Sequence, residues 1–250
     1  MKGQNNTITH HGRKIAGKTY LPEKEKYPIV IFSHGFNGVG DDFSSQAKIL
    51  AEKGIGAFTY DFCGGSLRSK SDMPTYEMTV FTEKEDLSAV LDTVKAWEHV
   101  DNHHIFLFGA SMGGLVSALT AEERGDEING MILMFPALCV ADDWNERFPN
   151  VADIPERYDF WGVPLGRCFS ETLHGFRIFE EIGKYPGDVL ILHGDKDNIV
   201  PAAYSERAVK LYRNSCLEIF PGQGHGFSAE ANDKVARLLT EFILARINNK

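Results

Sequence analysis

Short apolar runs alternate along the chain with segments in which apolar residues recur every three or four positions. The apolar runs lie at residues 28–36, 56–62, 105–108, 131–135, 189–192 and 216–220. The helical patterns lie at residues 42–53, 87–97, 112–119, 201–213 and 235–243. This alternation predicts a parallel sheet that is covered by helices. Before it, residues 7–20 alternate around the turn signal His11-Gly12, which predicts an opening β-hairpin.

One connection in this pattern is much longer than the others. More than fifty residues separate the strand at 131–135 from the strand at 189–192, whereas a crossover in a parallel sheet needs far fewer. The segment is rich in proline, in charge and in the aromatic residues Trp144, Phe148, Tyr158, Phe160, Trp161 and Phe169. We therefore expect a cap at about residues 137–187, inserted over the sheet of a single domain that comprises residues 1–250.

The composition says little about the fold, but it narrows the classes of partner that the protein can bind. The 250 residues carry a formal net charge of −9, and Lys and Arg form no cluster. Nucleic-acid binding needs clustered cations, so no nucleic-acid partner is expected. No stretch is long enough to span a membrane, and the polar start MKGQNNTITHHGRK lacks the apolar core of a secretion signal. We expect a cytoplasmic protein with no membrane partner and leave a homodimer open.

The cysteines argue against a metal or redox site. All four are scattered along the chain and form no C-x-x-C pair: Cys63, Cys139, Cys168 and Cys216. This usage favours reduced thiols that pack as small apolar side chains. The same lack of ligand spacing predicts no zinc site, and no cofactor is expected.

Three of the predicted strands end next to residues that can carry chemistry. In an open parallel sheet, reactive groups collect beyond the carboxyl ends of the strands. The run at 105–108 leads into Ser111, with a glycine two positions before it and another two positions after it. The other two strand ends carry two carboxylates and a histidine: Asp195, Asp197 and His225.

The two glycines around Ser111 have a steric explanation. A strand that turns abruptly into a helix holds the residue at the turn in a strained conformation, and side chains two positions away would collide. The serine oxygen then stands clear, and the helix N-terminus points N–H groups at any anion beside it. An ordinary helix N-cap is the alternative role for Ser111. The chain order Ser, Asp, His favours a nucleophile with a base and an orienting acid.

These residues stand in stretches that match the landmarks of the α/β-hydrolase superfamily in order. The stretches are HGF at 34–36, GASMGG at 109–114, HGDKDNIVP at 193–201 and GQGHGF at 222–227. The chain resembles this superfamily over nearly its whole length, and within it most resembles the small bacterial feruloyl and cinnamoyl esterases. The resemblance implies an α/β-hydrolase fold, with a mostly parallel central sheet, helices on both faces and a small cap insertion between strands 6 and 7.

The resemblance also implies roles for the residues at the strand ends. Ser111 would be the nucleophile, His225 the general base and acid, and Asp197 the carboxylate that orients the histidine. Asp195 stays open as the alternative acid, although the Gly-x-x-Asp spacing after the strand favours Asp197. The oxyanion would be bound by the backbone N–H groups of Phe36 and Met112.

In the esterases that the chain resembles, the cap packs the aromatic acyl group and offers polar partners to its ring hydroxyl. This implies substrate contacts from Trp144, Trp161 and Phe169, with Asp142 or Asp143 as one of the polar partners. Some relatives have a tyrosine near Phe169, and the lack of that hydroxyl here weakens the expectation of a strict hydroxycinnamate preference.

The implied function is a carboxylesterase that hydrolyses a small-molecule ester through an acyl-enzyme. Its acyl group would be cinnamoyl, feruloyl or another small acid. The alternative is a serine peptidase of the same fold, similar to an aminopeptidase or acyl-peptide hydrolase. The many acidic residues of the cap would suit a peptidase, because a carboxylate can bind a free amine.

Three further polar residues near the strand ends are interpreted as structural. His34 lies at the loop that would carry one oxyanion donor, and His193 is expected to make a loop hydrogen bond. Asp61 ends the strand at 56–62 and is expected to brace the turn that follows it.

Overall fold

The computed structural model describes residues 3–247 and builds them around a mixed eight-stranded sheet. In chain order the strands are β1 (Gln4–His10), β2 (Arg13–Tyr20), β3 (Tyr27–Ser33), β4 (Gly56–Tyr60), β5 (Val100–Ala110), β6 (Gly130–Met134), β7 (Arg157–Phe160), β8 (Val163–Gly166), β9 (Asp188–Gly194) and β10 (Asn214–Phe220).

The sheet has the strand order β1-β2-β4-β3-β5-β6-β9-β10, and β7 pairs with β8 in a separate hairpin. Strands β1 and β2 form the predicted opening hairpin, and β2 is also antiparallel to β4. The neighbours from β4 to β10 are all parallel to one another. The predicted mostly parallel α/β-hydrolase sheet is therefore confirmed.

The sequences of the central strands are continuous apolar runs because both faces of these strands are buried. In β3, Ile29 and Ile31 pack into one core, while Val30 and Phe32 pack into the core on the opposite face. Since neighbouring side chains of a strand point to opposite faces, a single short run supplies both cores.

Helices cover both faces of the sheet. They are α1 (Ser44–Glu52), α2 (Val80–Lys95), α3 (Met112–Arg124), α4 (Val140–Arg147), α5 (Arg167–Leu173), α6 (Ile178–Glu181), α7 (Ala202–Ala208) and α8 (Ala229–Ile247). Leu87 of α2 and Leu115 of α3 lie in one core, whereas Leu50 of α1 and Val235 of α8 lie in the other. None of the helices within residues 3–247 is long and apolar enough to cross a membrane.

The long connection between β6 and β9 contains α4, the β7–β8 hairpin, α5 and α6. These elements are called the cap below. Strands β6 and β9 are the sixth and seventh strands of the sheet in chain order, so the cap stands where the sequence predicts an insertion. Leu165 and Phe169 of the cap are fully buried and belong to the same core as α2 and α3.

The helix that the sequence predicts at residues 201–213 is shorter in the structure. Helix α7 begins directly after Pro201 and ends at Ala208. The Ser215 hydroxyl donates to the carbonyl oxygens of Val209 and Tyr212, at 2.6 and 3.1 Å, and so ties the following residues to the start of β10. The apolar spacing of residues 209–213 does not show this turn, because their side chains continue the helical pattern.

Candidate active site

Ser111 lies at the sharp turn between β5 and α3. Its backbone has φ 52° and ψ −117°, a conformation that residues other than glycine rarely adopt. A Cβ atom at Gly109 would lie 2.2 Å from the carbonyl oxygen of Gly113, and one at Gly113 would lie 2.2 Å from that of Ser33. Only glycine fits at either position, which agrees with the steric explanation of the G-x-S-x-G spacing.

A chain of hydrogen bonds connects Ser111, His225 and Asp197. The Nε2 atom of His225 lies 2.9 Å from Ser111 Oγ, and its Nδ1 atom lies 2.8 Å from Asp197 Oδ2. An ionised carboxylate can only accept, so the ring proton is on Nδ1 and Nε2 accepts the hydrogen bond of the serine hydroxyl. The three residues come from three separate strand ends, as the sequence predicts.

The carboxylate of Asp197 is fully buried and accepts hydrogen bonds from several N–H groups. Its Oδ1 atom accepts hydrogen bonds from the backbone N–H groups of Ile199 and Val200, both at 2.9 Å. Its Oδ2 atom faces the His225 ring and also lies 3.3 Å from Nε2 of His193. These groups compensate a negative charge that would otherwise be costly to bury.

Asp195, the alternative acid, lies away from the histidine ring. Its side chain is exposed and accepts a hydrogen bond of 2.6 Å from the backbone N–H of Gly222. This contact holds the turn after β10, which is the turn-stabilising role that the sequence leaves to it. The structure thus brings Asp197, and not Asp195, to His225.

Two free backbone N–H groups border the same site as the Ser111 hydroxyl. Met112 is the first residue of α3, and Phe36 lies in the loop after β3, and both line the cavity that opens on Ser111. Neither N–H donates a hydrogen bond to another described residue. The loop passes close to the serine, since a Cβ atom at Gly35 would be 3.0 Å from Ser111 Cβ. The arrangement suits the binding of an oxyanion.

The loop that contains Phe36 is held by buried polar contacts. The Nε2 atom of His34 accepts a 3.0 Å hydrogen bond from the backbone N–H of Phe62, and its Nδ1 lies 2.8 Å from the carbonyl of Gly35. Burial lowers the pKa of His34, so its ring is neutral. Asp61 accepts hydrogen bonds from the backbone N–H groups of Gly40 and Lys70. Both side chains therefore have the structural contacts that the sequence suggests.

The cavity over Ser111 has a volume of about 340 Å³ and lies between the sheet and the cap. Four of the five cap residues proposed from the sequence line it: Asp143, Trp144, Trp161 and Phe169. Asp142 does not, because its carboxylate accepts a 2.7 Å hydrogen bond from the Tyr204 hydroxyl outside the cavity. Consecutive residues of a helix point about 100° apart, so α4 can turn only one of the two aspartates inward.

An aromatic cluster builds the cap side of the cavity. The ring of Trp144 packs edge-on against Phe160 at 4.5 Å and against Phe169 at 5.1 Å. Its indole N–H donates to the Tyr158 hydroxyl at 2.9 Å, which fixes the orientation of the ring. Trp161, at the tip of the β7–β8 hairpin, stacks on Phe160 and stays 64% exposed at the rim.

Several cavity residues were not identified from the sequence as site residues. They are Ala137, Cys139, Val140, Arg147, Phe160, Asn198, Ile199 and Val200. The helical spacing of Asp143 and Arg147, four residues apart on α4, is a signal that could have identified Arg147. Asn198 and Ile199 lie inside the stretch HGDKDNIVP, where the superfamily resemblance draws attention to the aspartates alone.

The site holds ionisable groups but no ligand set for a metal. Burial raises the pKa of the Asp143 carboxyl, which is close to the thiol of Cys139. Among residues 3–247, no three His, Cys, Asp or Glu side chains are grouped so that they could bind a metal ion.

Comparison with known proteins shows the family of the chain. The family model described as "Serine aminopeptidase, S33" matches residues 24–158, which include Phe36 and Ser111 and end before Asp197 and His225. The chain belongs to this family of serine hydrolases with the α/β-hydrolase fold.

Individual relatives are distant in sequence but similar in structure. The solved structure of Est1E from Butyrivibrio proteoclasticus with ferulic acid bound has a TM-score of 0.89 and 28% identity, and the match covers 97% of this chain and 99% of that chain. Monoglyceride lipase from Rattus norvegicus is 27% identical over 187 residues, which are 74% of this chain and 59% of the lipase. A putative non-heme chloroperoxidase from Synechocystis sp. is 26% identical over 262 residues, which are 86% of this chain and 91% of that protein.

Proposed function

We propose that the protein is a carboxylesterase that hydrolyses esters of small aromatic acids through an acyl-enzyme. One observation carries the proposal: the hydrogen-bonded Ser111, His225 and Asp197 open onto an aromatic-lined cavity of about 340 Å³. That volume is near the lower end of the range for small-ligand sites, which favours a compact acyl group over a long aliphatic chain. The structural similarity to Est1E, whose structure contains ferulic acid, supports the same substrate class.

In the first half of the reaction, Ser111 Oγ forms a bond to the acyl carbon of the ester. Its proton moves to Nε2 of His225, and Asp197 stabilises the resulting imidazolium. The carbonyl oxygen becomes an oxyanion and accepts hydrogen bonds from the N–H groups of Phe36 and Met112. When the intermediate collapses, the bond to the alcohol oxygen breaks and His225 gives that oxygen its proton.

The second half repeats these steps with water as the nucleophile. His225 takes a proton from a water molecule, which attacks the acyl-enzyme and forms a second oxyanion in the same place. Collapse releases the acid, and the proton on His225 returns to Ser111 Oγ. Each N–H donor to the oxyanion contributes a factor of about 10²–10³ to the rate.

In this proposal the cap residues choose the acyl group. Trp144, Phe160 and Phe169 provide flat apolar surfaces for an aromatic ring. Asp143 lines the cavity and is a polar partner for a ring hydroxyl, whose O–H can donate to the carboxylate.

Replacing Ser111 tests the reaction itself. The variant Ser111→Ala should show no hydrolysis of methyl ferulate or p-nitrophenyl esters and no labelling by a fluorophosphonate probe. The matched control is Ser45→Ala, since Ser45 is exposed on α1, outside the cavity. Retained turnover in Ser111→Ala, with the control unchanged, would falsify the assignment of the nucleophile.

The two neighbouring aspartates of α4 test the acyl preference. Asp143→Ala should lower kcat/KM for methyl ferulate by about 10-fold relative to methyl cinnamate, because one hydrogen bond to the ring hydroxyl is lost. Asp142→Ala is the control, because Asp142 binds Tyr204 outside the cavity. An unchanged ratio of the two rates in Asp143→Ala would remove Asp143 from the binding of the ring.

A serine peptidase that acts on small peptides is the second candidate. The family description favours it, and Asp143 is a carboxylate inside the cavity that would bind a free amine. Aminoacyl p-nitroanilides and short aryl esters, assayed side by side, separate the two functions. Faster turnover of the anilides that depends on Asp143 would favour the peptidase.

A further inference from the structure

The cavity contains a cationic side chain that the proposed mechanism does not use. Among the described residues that line the cavity, Arg147 is the only one with a positive charge. No carboxylate of residues 3–247 forms an ion pair with it, in a chain whose net charge is −9. In contrast, Arg167 and Arg177 of the same cap pair with Glu171 and Glu180.

Two aromatic rings lie beside this exposed side chain. The guanidinium carbon of Arg147 lies 5.6 Å from the centre of the Phe160 ring and 5.8 Å from that of Phe148. Phe160 itself lines the cavity, so the cation is kept beside the space where the substrate binds. A guanidinium at cation–π distance from aromatic rings can still donate its N–H groups to a carboxylate.

We propose that Arg147 binds an anionic group of the substrate, so that the preferred esters carry a carboxylate on the acyl or the alcohol part. This inference rests on the proposed esterase function and adds the charge of its substrate class. Asp143, one helical turn before Arg147 on α4, lies beside Cys139 and lines the same cavity. The two charged residues thus give the cavity one cationic and one hydrogen-bonding end.

Three esters with one common acyl core test this proposal. Methyl cinnamate is neutral, methyl 4-carboxycinnamate carries the anion on the acyl part, and the cinnamate ester of glycolic acid carries it on the alcohol part. Arg147→Gln should lower kcat/KM about 10-fold or more for the carboxylate ester that the unmodified protein prefers, and by less than about twofold for methyl cinnamate. Arg147→Lys should retain part of the preference, because the charge remains.

The control for this experiment is another cap arginine. Arg157 stacks on Tyr76 at 3.7 Å and lies outside the cavity, so Arg157→Gln should leave all three rates unchanged. If Arg147→Gln hydrolyses each of the three esters at the same rate as the unmodified protein, the anion site alone is overturned. Hydrolysis of methyl cinnamate that persists in Ser111→Ala would instead overturn the proposed function.

A second inference comes from the buried histidine behind Asp197. The Nε2 atom of His193 lies 2.9 Å from the carbonyl oxygen of Val200, so this nitrogen carries the proton and donates it. The Nδ1 atom then accepts a 2.7 Å hydrogen bond from the Ser205 hydroxyl of α7. Burial lowers the pKa of His193, which keeps the ring neutral.

The geometry points to His193 as a positioning residue for the orienting carboxylate. Its Nε2–H holds Val200, whose own backbone N–H donates to Asp197 Oδ1, and the same N–H faces Asp197 Oδ2 at 3.3 Å. The titratable groups that face the ring are Asp197, from the same loop, and His225, from the loop after β10. His193 therefore acts on the serine only through Asp197.

Two substitutions at this position separate positioning from packing. His193→Gln can place an amide N–H near the position of Nε2, whereas His193→Asn is too short to do so. His193→Asn should lower kcat about 10-fold with KM unchanged, and should move the acid limb of kcat/KM to higher pH. The limb moves because a carboxylate with one donor fewer holds the proton on His225 more tightly.

His193→Gln should recover most of kcat and restore the pH profile. Ser205→Ala keeps the histidine and loses only the donor to Nδ1, so it should show a smaller decrease in kcat even if His193→Asn does not fold. The inference is overturned if folded His193→Asn and His193→Gln lose the same activity with the pH profile unchanged. It is also overturned if Ser205→Ala and His193→Asn both keep full kcat.

Discussion

Asp197 and the pair Glu83 and Asp86 of α2 are all buried carboxyl groups, and they differ in how many donors reach them. Asp197 accepts three hydrogen bonds and faces the N–H of His193. Asp86 accepts one, from the backbone N–H of Cys63 at 2.7 Å. Its other oxygen, and one oxygen of Glu83, have no hydrogen-bond partner among residues 3–247.

For Glu83 and Asp86, the lack of donors is accompanied by raised pKa values. Burial raises the pKa of Glu83 well above its ordinary value, and nearby Asp86 adds to the rise. Burial also raises the pKa of Asp86 to about 6, although the hydrogen bond from Cys63 opposes the rise. The raised pKa values of Glu83 and Asp86 follow from their small number of N–H donors, because such donors are what compensates a buried negative charge.

The largest expected effect is at Asp197, the buried carboxyl with the most hydrogen-bond donors. Asp197→Asn should lower kcat on p-nitrophenyl esters by about 10⁴-fold, because an amide no longer holds the ring proton of His225 on Nδ1. Steady-state kinetics measures the loss. Asp195→Asn is the control, since Asp195 is exposed and contacts Gly222, and its rate should stay within about twofold.

A smaller effect is expected when the charge of Asp86 is removed. With a folded pKa of about 6 and an ordinary value of 3.8, the folded protein binds this proton more tightly than the unfolded chain. The stability that comes from this proton is therefore fully present at low pH and is lost as the pH rises from about 4 to 6. Above that range the folded protein is less stable by about 3 kcal/mol.

Asp86→Asn should remove this loss. Urea denaturation measures the free energy of unfolding of both proteins. The difference between them, variant minus unmodified protein, should increase by about 3 kcal/mol from pH 4 to pH 7. The ester activity should not change. A difference between the two proteins that is constant over this pH range would contradict the comparison.

The smallest effect is expected at Glu83. Burial raises the pKa of Glu83 and so favours its neutral form, and Glu83→Gln replaces that form with a neutral group of the same shape. The free energy of unfolding at pH 6 should change by no more than about 1 kcal/mol. Glu85→Gln on the exposed side of α2 serves as the control. A loss of several kcal/mol in Glu83→Gln alone would mean that Glu83 is charged in the folded protein.

The residues of the hydrogen-bonded chain could be predicted because they stand at strand ends. The buried runs that end at Ser111, Asp197 and His225 can be recognised from the sequence, and parallel strands bring their carboxyl ends to one edge. The strands themselves were predictable for the same reason, since the core lies on both of their faces. The end of α7 could not be predicted, because the apolar spacing continues past Ala208 and the contact of Ser215 with the Val209 carbonyl oxygen depends on the fold.

The cavity and the buried carboxyls depend on packing that no local pattern contains. Asp142 and Asp143 are neighbours of the same type, and only the orientation of α4 decides which one faces the cavity. Glu83 and Asp86 look like exposed charges of a helix, and become buried only because other parts of the fold cover them. The same holds for His193, since Asp197, Val200 and Ser205 follow it closely in the chain but meet its ring only because of the way the segment from β9 to α7 folds back.

All elements of the cap belong to one uninterrupted stretch of chain between two adjacent strands, β6 and β9. The serine, the acid and the histidine lie outside that stretch, on loops whose positions the sheet determines. Evolution can therefore exchange or reshape the cap as one module while the hydrolytic machinery stays intact. A protein engineer can use the same division, since grafting a foreign segment between β6 and β9 should transfer substrate choice without rebuilding the reaction centre.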